Sequence, residues 1–264
     1  MKQVFVSLVL CLMLMGISSC GSSNRSPENI IVADAMTSLR NELPIHLEGL
    51  GKVREVDYEG NNVILRMRIQ EDVSYGISVT KISENQLLAK DIIAAQIGMM
   101  NVQEKEAIKA IAGESFGLKV IISGSSSNRD GIINLSSDEI ELALAKAQNK
   151  TDDDFSLEMV AMTTRLMLPV RVDQVTTWID TRLTDNTFEY IYHIDDSNID
   201  LSSIDMDAIK REQLTILSQN MDVMGNVVIC CKSTHRNLIC IYVGNNSNKS
   251  IQVVLTPRDL DNVK

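Results

Sequence analysis

"NLICIYVGNNSNKSIQVVL" (residues 237–255) and "GLKVIISGSSSNRDGIINL" (117–135) run in step without a gap, at an offset of 120. In each, a β-branched run meets a Gly/Ser/Asn-rich break and then a second run, the pattern of a hairpin. The echo extends upstream. "AMTSLRNELPIHL" (35–47) matches "AMTTRLMLPVRV" (161–172) with a single-residue gap, and "NNVILRMRIQED" (61–72) matches "NTFEYIYHIDD" (186–196) at an offset of 125. The chain therefore reads as two copies of one unit, 28–147 and 155–264, joined by a polar linker over 148–154 within "QNKTDDDFS". Two copies are too few for a solenoid, and each is long enough to own a core.

Each copy predicts the order α-β-β-α-α-β-β-α, an α+β fold whose antiparallel sheets are covered by helices. A helix near 29–41 places Ile31, Ala35, Leu39 and Leu43 on one stripe, and Pro44 ends it. A strand near 50–58, the turn "EGNN" (59–62) and a strand with Val63, Leu65, Met67 and Ile69 inward follow. In the second copy the inward set becomes Phe188, Tyr190, Tyr192 and Ile194. Ser83 with Gln86, Asn101 with Glu104, and Ser136 with Glu139 have the spacing of capping boxes, and Pro257 after Thr256 suits a first helical position. One segment is divided. "EAIKAIAGES" of the first copy is helix-forming, whereas the corresponding "VVICCKSTHR" (227–236) is β-branched and reads locally as strand. Its alignment with the first copy favours helix.

The chain begins "MKQVFVSLVLCLMLMGISSC". Lys2, the apolar run Val4 to Ile17, and Ser18 and Ser19 before Cys20 form an export signal over 1–19, short for a membrane span. "ISSC" resembles a bacterial lipobox. That resemblance implies a diacylglycerol on the Cys20 thiol and cleavage that makes Cys20 the new N-terminus, with 20–27 as a flexible tether. An ordinary signal peptide that happens to contain a cysteine is the alternative. "LPVRVDQVTT…FEYIYHI" in the second copy resembles a group of small bacterial envelope proteins, often lipoproteins; the first copy departs from it with Glu48, Leu65 and Met67. The resemblance implies a place and a fold: the cell envelope, on the outer membrane facing the periplasm, with no reaction attached.

Net charge is −10, and removal of the signal takes away Lys2 and no acid. No basic stripe accompanies this charge, which argues against nucleic acid. The expected partners are the bilayer, through acylated Cys20, and an envelope protein.

The densest chemistry-bearing cluster is Cys230, Cys231, His235 and Cys240. On a helix, Cys231 and His235 fall at i, i+4, where a thiolate beside an imidazole is a nucleophile pair. Yet Cys231 corresponds to Ile111 and Cys240 to Val120, so buried cysteines acting as small hydrophobes are the plainer reading. Export also permits a Cys231–Cys240 or Cys230–Cys240 disulfide. His46 and His193 correspond to Arg171 and Arg68 and are expected in solvent. "HIDDSNID" (193–200) lacks the ligand spacing of a calcium loop, Asn149-Lys150-Thr151 fits a glycosylation sequon that most bacteria leave empty, and neither metal nor cofactor motifs occur.

Nothing polar and convergent recurs between the copies, whereas the apolar pattern and the turns do. The balance favours a non-catalytic binding or assembly role over a thiol enzyme using Cys231 and His235. The last hairpin is apolar on both faces, with Ile239, Ile241 and Val243 alternating with Leu238, Cys240 and Tyr242. That extra face needs a cover, from the sister copy or a partner, or else lines the pocket of an apolar-ligand carrier.

Overall fold

The computed structural model describes residues 27–47, 50–69, 71, 78–125, 129–198 and 200–263. Cys20, the signal and most of the tether lie outside them. The first half runs α1 (Ile30–Asn41), β1 (Ile45–Leu47), β2 (Gly51–Glu59), β3 (Asn62–Ile69), α2 (Val79–Glu84), α3 (Gln86–Met99), α4 (Val102–Gly113), β4 (Gly117–Gly124), β5 (Asp130–Leu135) and α5 (Ser137–Ala147). The second runs α6 (Asp152–Met167), β6 (Val170–Arg171), β7 (Thr176–Leu183), β8 (Thr187–Ile194), a 3₁₀ turn (Leu201–Ser203), α7 (Met206–Gln219), α8 (Met221–Ser233), β9 (Asn237–Gly244), β10 (Ser250–Leu255) and α9 (Pro257–Leu260). The α+β class is as expected.

Each half builds one five-stranded sheet, β1-β2-β3-β4-β5 and β6-β7-β8-β9-β10, with the same pairing directions. The sheets are mixed, which corrects the antiparallel expectation. β3 with β4, and β8 with β9, run parallel. The cause is the long helical connection between them: it crosses one sheet face and returns the chain in its original direction, as a tight turn cannot. Short edge strands β1 and β6 follow the LP dipeptides and have no strong sequence signal. Both second strands carry a bulge at the matching place, Val53/Glu55 and Trp178/Asp180.

The inward stripe of β3 is as read: Val63, Leu65, Met67 and Ile69 are all buried. In α1, Ala35 and Leu39 are buried as expected and Leu43, past the helix end, packs partly buried on the core; Ile31 is exposed instead, and Val32 and Met36 complete the buried stripe. Capping boxes form at Asn101/Glu104, Ser136/Glu139, Thr151/Asp154 and Thr256/Asp259, with Pro257 in the first turn. Such a cap stabilises a helix by about 1 kcal/mol. Ser83 is no cap. It lies inside α2 and its hydroxyl donates to the Val79 carbonyl, while Ser78 caps that helix.

The linker expectation also needs correction. Thr151 caps α6, so Asp152, Asp153 and Asp154 form its first turn, where carboxylates meet the positive end of the helix dipole. α6 then serves both halves. Met159, Met162 and Leu166 join the first core, and Leu157 and Ala161 join the second. Gln96 of α3 donates to Met159 Sδ at 3.4 Å, and Gly98 leaves room for the Phe155 ring: a Cβ there would come within 2.6 Å of it.

The divided segment is helical. In α8, Val227, Val228, Cys230 and Cys231 are buried and Ile229 is 57% exposed, a spacing that a helix produces and a strand does not. Burial of that stripe outweighs the modest helix propensity of β-branched residues. Among the described residues no single helix is long and apolar enough to cross a membrane.

Candidate functional site

The structure brings the three body cysteines into the second core without joining them. Cys230, Cys231 and Cys240 are buried thiols, and neither the Cys231–Cys240 nor the Cys230–Cys240 disulfide is formed. Burial pushes the Cys231 thiol up to about 12, helped by its neighbour Cys230, and the Cys240 thiol up to about 12. Nucleophilic cysteines need the opposite shift. Cys240 Sγ donates weakly to Gln213 Oε1 at 3.9 Å, and Cys230 Sγ to Asp153 Oδ1 and Asn226 Oδ1, each at 3.5 Å.

His235 does not complete a pair with Cys231. α8 ends at Ser233, and His235 sits beyond the end, exposed, with φ of 55°. Its N–H donates to Lys232 O at 3.2 Å and that of Arg236 to Cys231 O at 2.9 Å, a Schellman closure that satisfies the last helical carbonyls. Ser115 does the same after α4, with φ of 60° and matching bonds to Ala112 O and Ile111 O. The i, i+4 geometry assumed from sequence thus fails because the helix stops between the two residues. The left-handed backbone makes a direct prediction: His235→Gly should raise the unfolding free energy, by up to about 1 kcal/mol, by relieving the αL penalty of a side chain. Denaturant unfolding measures it, and a loss of stability would give the imidazole a role that the structure lacks.

Around β8 an aromatic group fills the second core. Trp178 meets Tyr190 edge-on at 5.0 Å, Phe188 meets Tyr190 at 5.2 Å, and Tyr192 stacks on Tyr242 at 5.1 Å. Burial raises the tyrosine pKa values above their ordinary range, so these are neutral packing groups. The Tyr242 hydroxyl accepts from Gln213 Nε2 at 3.0 Å. His46 is exposed and His193 half-buried. Among the described residues no cluster of His, Cys, Asp or Glu is placed to hold a metal.

One polar feature does recur, contrary to the sequence reading. Asp196 accepts from the backbone N–H groups of Asn246 (2.8 Å) and Ser247 (3.2 Å) and lies against Gly244, where a Cβ would come within 2.3 Å of its carboxylate. The Ser247 hydroxyl first, then these N–H groups, hold its pKa down to about 2. In the first half Glu71 packs its carboxylate on Gly124 in the same way and accepts from Val79 N–H at 3.0 Å. Each acid therefore ties the end of its parallel strand pair to an adjoining segment. The alignment offsets place Glu71 opposite Asp196 and Gly124 opposite Gly244, but no local pattern says that each acid meets its glycine. For "HIDDSNID" the outcome is internal hydrogen bonding: Asp195 accepts from Ser197 and from Asn246 Nδ2.

The site that sequence reasoning missed lies between the halves. A cleft of about 500 Å³ is bounded by α3, α5, α6 and β7. Its apolar side is Ala94, Ala95, Ala143, Ala161, Met162 and Leu183. Lys146, Lys150, Arg165 and Arg182 stand around it with Asp91 and Glu158. Lys150 pairs with Glu158, while Arg165 (3.3 Å) and Arg182 (3.0 Å) share the single carboxylate of Asp180. Thr181, 1% exposed, borders the cleft, and its hydroxyl has no hydrogen-bond partner. The first half has Val56 at the corresponding bulge-proximal position, buried with no polar group to satisfy. An unpaired buried hydroxyl costs roughly 1–3 kcal/mol, so Thr181 is a polar group where an apolar one would serve the fold better. No sequence period announces this cleft, since its lining comes from elements far apart in the chain.

No protein-family model, curated protein or solved structure matches the chain.

Proposed function

We propose that the chain is a lipid-anchored protein of a bacterial cell envelope, held through Cys20 on the outer membrane and facing the periplasm, and that it works as a non-catalytic binding or assembly component for an envelope protein. The shared strand order, the matching bulges and the repeated acid–glycine contact support descent of the two halves from one duplicated unit. The observation that carries the binding role is the outward face of the second sheet. The aromatic and cysteine core of this half lies on the face of Phe188, Tyr190, Leu238 and Cys240. On the opposite face Ile191 pairs with Ile241 and Ile239 with Val254 across neighbouring strands, with Val243 beside them. Ile241 and Val243 are half-buried and Val254 is exposed. The equivalent strand of the first half alternates Lys119, Ile121 and Ser123 there, an ordinary wetted face. The first half has only one apolar cross-strand pair on this face, Ile121–Ile132, whereas the second half has five apolar residues there, of which Ile191 and Ile239 are buried and Ile241, Val243 and Val254 are open in part; the larger apolar group supports an interaction surface.

A photo-crosslinking residue at position 241, in intact cells, tests this. It should capture a protein, the same residue at position 121 should not, and Val254→Arg should abolish the adduct. Because Val254 is exposed, that change should alter stability by only about 0.5 kcal/mol or less. No adduct from position 241, or equal adducts from both positions, overturns the binding role of this face.

A further inference from the structure

We propose that the cleft between the halves binds an amphipathic organic anion, a single oxyanion head on a short apolar body. This goes beyond the protein-binding role and uses a different surface. Three independent features define the ligand. The volume, about 500 Å³, is that of a small-molecule site. The charge is opposite to that of the chain: the lining has four cations and two acids, in a protein of net charge −10. Among the described residues Lys146 has no acid partner, and the two arginines share the one carboxylate of Asp180, so the cationic groups are incompletely neutralised. The third feature is Thr181, whose hydroxyl lacks an acceptor while its counterpart Val56 does without one. That hydroxyl is closed to solvent in this structure, and a ligand oxygen supplies its acceptor once the side chains of this wall part around the head.

The floor selects the body. Ala94, Ala95, Ala161 and Met162 present small or flexible apolar groups, suited to an alkyl or aryl portion. A nucleotide fits poorly. The chain has no glycine-rich phosphate loop, and the one aromatic ring in the lining, Phe155, already carries the Lys150 ammonium 5.4 Å from its centroid.

The test is calorimetric titration of the full chain in uncharged detergent micelles, with empty micelles as the blank. The probes are 4-phenylbutyrate, 4-phenylbutan-1-ol and inorganic phosphate. Phenylbutyrate should bind saturably, one per chain. The alcohol, which lacks the charge, and phosphate, which lacks the body, should each bind at least about tenfold more weakly, the discrimination that one lost polar or apolar contact set confers. Thr181→Val should weaken phenylbutyrate about fivefold, and Lys146→Ala with Arg182→Ala about tenfold, on the scale of single charge-assisted hydrogen bonds. The Thr181→Val protein should unfold at no lower temperature than wild type, since Val56 already fills the same position; lost binding then cannot be ascribed to lost folding. Equal binding of the alcohol, equal binding of phosphate, unchanged affinity in the variants, or no saturable binding of phenylbutyrate up to millimolar concentration each overturns the proposal.

Discussion

Replacing Phe188 by alanine should lower the unfolding free energy by about 3–5 kcal/mol, the range for truncating a fully buried aromatic side chain. Phe188 has no exposed surface and sits at the start of β8, next to Leu238 across the parallel ladder and edge-on to Tyr190. Truncation removes apolar burial, leaves a cavity in a packed core, and forfeits an aromatic pair worth about 0.5–1.5 kcal/mol by itself. Against a total stability of typically 5–15 kcal/mol, this is a large fraction. The corresponding residue of the first half is Val63, also with no exposed surface, whose truncation empties a much smaller volume. Denaturant unfolding of the two alanine variants should therefore rank Phe188→Ala well above Val63→Ala. A loss below about 1 kcal/mol for Phe188 would show that the second core is not closed around this ring.

Cys20→Ala should abolish acylation and membrane retention outright. The expected carrier of retention is the acyl modification of one thiol, because each buried CH₂ of an acyl chain contributes about 0.8 kcal/mol and two or three chains hold a protein stably. No single described helix is suited to span a bilayer, and a net charge of −10 gives no attraction to anionic lipid. Fatty-acid labelling, intact mass and membrane fractionation read the outcome. The variant should carry no acyl mass and either persist as uncleaved precursor or be released by another peptidase. A wild-type protein without acyl mass, or one cleaved away from Cys20, would replace the lipid anchor by ordinary secretion.

The legible parts of the fold were those set by neighbours in the chain. Asn101 with Glu104 and Ser136 with Glu139 announced helix starts, because a capping box closes within one turn. Val63, Leu65, Met67 and Ile69 announced a strand and its inward face, because the side-chain period of a strand is two. The repeat itself was visible, because two segments that must fill the same positions in the same fold keep the same apolar pattern. Ser83 was misread since a hydroxyl three residues before a glutamine fits a capping box equally well inside a helix. The functional residues were less legible. Cys231 and His235 had the spacing of a pair, but whether a helix continues through both depends on where its backbone closes, and it closes at Ser233.

What the sequence determined by itself is therefore the local repertoire: which segments coil, which extend, where the turns fall, and that the series is used twice. The tertiary structure alone decided the rest. It made β3 and β4 parallel, drew the β-branched α8 into a helix by burying Val227, Val228, Cys230 and Cys231, and gave α6 to both cores. It also left a cleft where α3, α5, α6 and β7 meet and stranded the Thr181 hydroxyl beside it. The physical reason is range. Caps, turns and periodicity act over a few residues, whereas pairing direction, burial and cavities arise from apolar surfaces that meet only after the chain has folded back across dozens of residues.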